Sequence, residues 1–135
     1  MTAVAITDAN VQKISADEGT NIQFGETITP GKIAYLHTDN KYYIASNDDS
    51  AKQNASVFVT QGGETDSYGV GIGTKGAEVD VGGTLVPGDP YMLGASGAII
   101  PVADLGTGDY ATLVGIAKTT TNMLINFHAT GAQAP

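Results

Sequence analysis

The sequence predicts an all-β fold, a small β-barrel or β-sandwich built from two related β-hairpin units and preceded by an extended N-terminal arm. Composition gives the first reason. Eighteen glycines and sixteen threonines stand beside only 15% charged residues, a mixture suited to short strands and tight turns rather than to helices. The second reason is alternation: Ile22, Phe24 and Ile28 interleave with polar neighbours, the period of a half-buried strand. The third is recurrence. Residues 21–60 reappear without a gap at residues 78–117, each falling on the residue 57 positions further on. Gly25, Thr27, Pro30, Gly31 and Leu36 meet identical partners there, and apolar positions stay in phase, with Val57 and Val59 falling on Val114 and Ile116.

Taken in order, residues 1–20 lie outside the recurrence. Val4, Ile6, Val11 and Ile14 are spaced too irregularly for one period. A short helix after Thr7 or Asp8 competes with an arm that orders only against a partner, and Gly19 favours the arm. Residues 21–135 then form a single β-domain: repeats 21–60 and 78–117, and a closing strand at 123–128. In each repeat a bent strand leads to Pro30-Gly31 or Pro87-Gly88. Proline presets φ at the second position of a turn there, and glycine accepts positive φ at the third. Hairpins follow, Ile33–Leu36 returning through Tyr42–Ala45 and Tyr91–Leu93 through Ile99–Val102. Pro101 marks an edge strand or a strand end. Thr112–Ala117 and Met123–His128 complete the domain, and the tail from Ala129 reads as loose.

Chemistry is sparse. Without cysteine there is no disulfide framework and no thiolate metal site. The net charge is −8, and all six basic residues are scattered lysines; lacking arginine and a basic stripe, the chain is not expected to bind nucleic acid. No apolar run approaches the ~20 residues that span a bilayer, and Met1–Asn10 lacks the basic start of a signal peptide. The expectation is a protein made in a host cytoplasm, with no membrane partner. Gly71-Ile72-Gly73-Thr74-Lys75-Gly76 spells a dinucleotide fingerprint but runs on into a strand, where the chemistry needs a helix. His37 and His128 read as solvated histidines. Asp48-Asp49 and the loop from Asp104 to Asp109 lack the spacing of a calcium site. Tyr42 and Tyr43 point to opposite faces of a strand, so they make a thin sugar-binding platform. No catalytic residue, metal site or cofactor is expected.

The second repeat and its sequel are Pro87-Gly88-Asp89-Pro90-Tyr91-Met92-Leu93, Ala98-Ile99-Ile100-Pro101-Val102, Gly106-Thr107-Gly108-Asp109, Leu113-Val114-Gly115-Ile116-Ala117 and Met123–His128. In order and spacing this succession resembles the β-core of the lambda-type phage head decoration, or capsid cement, proteins, over residues 83–128 with a weaker echo in 26–60. The resemblance implies a β-tulip-like virion structural protein that assembles as a homotrimer. It would bind the major capsid protein on the outer surface of the expanded head, at three-fold and quasi-three-fold sites, and stabilise it. The N-terminal residues Val4, Ile6, Val11 and Ile14 would then be the capsid-binding arm, adding a strand to a capsid sheet. Two departures stand out: an extra N-terminal copy of the motif, and an end soon after the last strand. The competing readings are another virion component, of tail or baseplate, and a carbohydrate-binding β-module.

Overall fold

The computed structural model of the chain describes residues 3–15 and 19–134. It is all-β, with no α-helix among the described residues. The first sheet contains β2 (Thr20–Gln23), β3 (Ile33–Leu36), β4 (Tyr42–Ile44), β5 (Val57–Gln61) and β6 (Tyr68–Ile72), in the order β2-β6-β5-β3-β4. The second contains β1 (Val11–Ser15), β7 (Glu78–Val81), β8 (Pro90–Leu93), β9 (Ile99–Pro101), β10 (Tyr110–Ala117) and β11 (Asn122–Gln133), in the order β1-β7-β11-β10-β8-β9. With β1 set aside, the two orders are the same.

The likeness extends to register. In the β3–β4 hairpin Tyr35 faces Tyr43 and Leu36 faces Tyr42; in the β8–β9 hairpin Met92 faces Ile100 and Leu93 faces Ile99, all 57 positions further on. Both Pro-Gly turns carry the positive φ expected of their glycines, 93° at Gly31 and 88° at Gly88. Each glycine N–H then donates to the strand alongside, Gly31 to the Val59 carbonyl and Gly88 to the Ala117 carbonyl, both at 2.8 Å.

That last pair corrects the gapless repeat. Val59 corresponds to Ala117, not to Ile116. A bulge between Leu113 and Gly115 adds one residue to β10, and every side chain beyond it changes face relative to the straight alignment. Phe58, not Val59, is therefore the counterpart of Ile116.

Two apolar clusters hold the fold. Ile22, Phe24, Ile28, Ala34, Val57 and Val59 pack together on one face of the first sheet, all nearly or fully buried. A bridge from Phe24 to Tyr42 joins the ends of the sheet's outermost strands and curls it around this cluster. Its opposite face supplies Ile33, Tyr35, Phe58 and Ile72 to a larger core shared with Val79, Val81, Tyr91, Leu93, Val114, Met123 and Ile125 of the second sheet. At about 1.5–3 kcal/mol for each fully buried large side chain, this shared core is the main bond between the repeats.

Both termini differ from expectation. Residues 3–15 lie against their own domain: a 3-10 turn at Asp8–Asn10 leads into β1, which pairs antiparallel with β7, Val11 opposite Val81. The strand has a partner within the chain because Val11 buries its side chain in the shared core. The tail is not loose up to Gln133, because β11 continues that far. Thr130 donates its hydroxyl to the Ala111 carbonyl at 2.8 Å and Gln133 its amide to the Gly108 carbonyl at 2.9 Å, holding the end of β11 on β10. Pro101 ends β9, which is an edge strand.

Candidate functional site

The N-terminal segment carries the residues singled out for binding, and its placement follows from a gap. In the first sheet the Gly25 N–H donates directly to the Tyr42 carbonyl at 2.9 Å. The corresponding residues of the second sheet are Gly82 and Ile99, and the N-terminal segment lies between them. Thr7 N–H donates to the Gly82 carbonyl at 2.8 Å and Val4 N–H to the Ile99 carbonyl at 2.9 Å. The segment thus closes the second sheet where the first closes on itself. Val4 and Ile6 are half-buried against the shared core and Val11 is buried in it. Of the four predicted binding residues only Ile14 is well exposed, at 44%.

Beside the segment runs a shallow groove of about 390 Å³ lined by Ala3, Val4, Ala5, Thr84, Val86, Tyr91, Pro101 and Asp104. Val86 is 57% exposed, yet its N–H donates to the Tyr91 hydroxyl at 2.9 Å, which fixes the rim. β1 is the terminal strand of its sheet. Its outer edge therefore offers backbone groups to another strand. Of the turn residues Pro30, Gly31, Pro87 and Gly88, the two glycines tie their turns to the neighbouring strand through their N–H groups.

Other polar groups are tied into the fold. On the β3–β4 hairpin Tyr43 donates its hydroxyl to Asp39 at 2.7 Å, and the rings of Tyr35, His37 and Tyr43 meet edge-on or tilted at 5.2 to 6.2 Å. The Tyr43 hydrogen bond holds the Asp39 carboxyl below its ordinary range and pushes the Tyr43 phenol up. Lys41 pairs with Asp66 at 2.7 Å, which raises the ammonium. Glu78, its side chain only 10% exposed, takes Lys118 at 2.9 Å and Asn122 at 2.7 Å, and both hold its carboxyl low. Sequence reasoning missed these clusters, since Lys118 and Asn122 lie 40 and 44 residues from Glu78.

The remaining candidates resolve into local structure. Asp48 accepts from the Ser46 hydroxyl, while Asp49 accepts from the Ala51 N–H and Asp109 from the Gly106 N–H, so these two carboxylates cap their own turns. Gly71 lies in β6 with no room for a side chain beside Val57, and Gly76 leads through a turn directly into β7. His37 belongs to the first sheet's hairpin and His128 to β11 of the second sheet, both exposed. Tyr42 packs with the first sheet's own cluster and Tyr43 with the shared core. What the described residues offer is a set of strand edges and sheet faces. No protein-family model matches the chain, and no curated protein matches it.

Proposed function

We propose that this chain is a capsid decoration protein of a bacteriophage, binding the outer surface of the expanded head at three-fold and quasi-three-fold sites as a homotrimer and stabilising it. The observation that carries the reading is the outer edge of β1, formed by the N-terminal segment and bearing the exposed Ile14. A strand edge of this kind takes a partner strand through main-chain hydrogen bonds, with alternate side chains giving specificity. The reading differs from the sequence expectation in one respect. Val4, Ile6 and Val11 serve the domain itself, so the contact belongs to the edge and to Ile14. An acidic surface free of arginine suits display outside a DNA-filled shell, and three weak edges on one trimer reinforce each other when all engage together.

The test is co-sedimentation of the purified chain with expanded heads that lack a decoration protein, followed by heating to DNA release. Binding together with a higher release temperature is expected. Ile14→Lys should weaken binding about tenfold while leaving the melting temperature of the free protein unchanged. Heads that neither bind the chain nor gain stability would overturn the reading.

A further inference from the structure

The shared strand order lets one repeat report on the other. In the first sheet Phe58 lies opposite both Ile33 and Ile72, and this row is fully buried against the second sheet. In the second sheet Ile116 lies opposite both Pro90 and Leu124. Because of the bulge in β10, this is the same row at the same place in the strand order. Here, however, it faces outward: Ile116 is 43% exposed, Pro90 is exposed and Leu124 half-buried.

We propose that this outward row, Pro90–Ile116–Leu124, is an interface on which a second copy of the chain packs. Two observations favour that occupant. The first is continuity with the interface inside the chain. The layers run from the first sheet's own cluster through that sheet to the shared core and the second sheet, and the open row is the next position in the stack. The molecule already covers the equivalent row with its own residues. The second is charge. Copies that each carry a net −8 repel one another at long range. On β7 beside this row, however, Glu78 is already held by Lys118 and Asn122, and Lys118 keeps 55% of its side chain exposed. Glu78 lies opposite Leu124, which itself lies opposite Ile116. The face therefore presents apolar side chains beside a carboxylate that already has its partners, Lys118 and Asn122. Packing a copy here buries no isolated charge.

The inference takes up the self-association in the proposed function but does not depend on capsid binding. It is tested by sedimentation equilibrium of the full chain over about 1 to 100 µM, where association shows as a concentration-dependent mass. The wild-type chain should exceed the monomer mass. Ile116→Lys and Leu124→Lys should each raise the apparent dissociation constant at least ~tenfold with circular dichroism unchanged. Leu36→Lys, at a residue as exposed but on the first sheet, should leave assembly intact. A wild-type chain that stays monomeric, or an Ile116→Lys variant that assembles as before, overturns the proposal. If the chain is monomeric and Ile116→Lys abolishes binding to heads, the row belongs to the capsid protein and the second copy is again refuted. If the chain assembles through this row yet ignores heads, the interface stands and the decoration reading falls.

Discussion

Gly31 and Gly88 occupy the same position of the same turn, and they separate backbone strain from crowding. Both need positive φ, which a side chain tolerates at a cost of about 1–3 kcal/mol. A Cβ on Gly88 would meet nothing within 4 Å, whereas one on Gly31 would lie 2.6 Å from the Ile6 side chain. Gly31→Ala should therefore destabilise more than Gly88→Ala, and adding Ile6→Ala should bring the two costs together. Urea midpoints of the single variants and of the two doubles with Ile6→Ala measure this; a difference between the two costs that is as large in the Ile6→Ala background as in the wild type would remove the N-terminal segment from the site. The Pro-Gly turns were legible because proline and glycine state their φ preferences locally. The crowding by Ile6 was not, since no local pattern tells which side chain meets a turn 25 positions away in the chain.

At the scale of elements, most strands could be placed from alternation and turn residues, and the two hairpins stand where the repeat puts them. Three departures have one physical theme: partners distant in sequence decide what a weakly patterned segment does. The bulge in β10 inserts a residue that the straight repeat conceals. β11 runs on to Gln133 because Thr130 and Gln133 find carbonyls on the β10 side. Residues 3–15 are ordered because the second sheet leaves a gap between Gly82 and Ile99 that backbone groups can satisfy. Removing residues 1–10 would expose that gap and uncover the part of the shared core against which the half-buried Val4 and Ile6 pack. The loss should be on the order of 2–3 kcal/mol, the worth of two partly buried aliphatic side chains and their hydrogen bonds. Chemical denaturation of the truncated chain checks this. An unchanged midpoint would mean that the segment rests on the domain without supporting it.

For the molecule as a whole, the duplication explains the all-β class but not the asymmetry between its halves. Two equal lobes would bury equivalent residues equally. Instead the first sheet curls around its own cluster and offers its other face to the second, so one row is spent inside the chain and its counterpart is left outside. No pattern in the sequence announces this, because Phe58 and Ile116 are both large and apolar and differ only in what the neighbouring layer covers. The asymmetry makes a quantitative prediction. Phe58→Ala opens a cavity in the shared core and should cost about 3–5 kcal/mol. Ile116→Ala, at the corresponding position but 43% exposed, should cost less than about 1 kcal/mol at protein concentrations low enough to keep the chain monomeric. Unfolding should remain a single transition in both variants, since the shared core couples the sheets. Similar costs at the two positions would show that the second sheet's outer row is covered within the monomer. Two separate transitions in Phe58→Ala would show that the repeats are held together by their linkers rather than by the core between them.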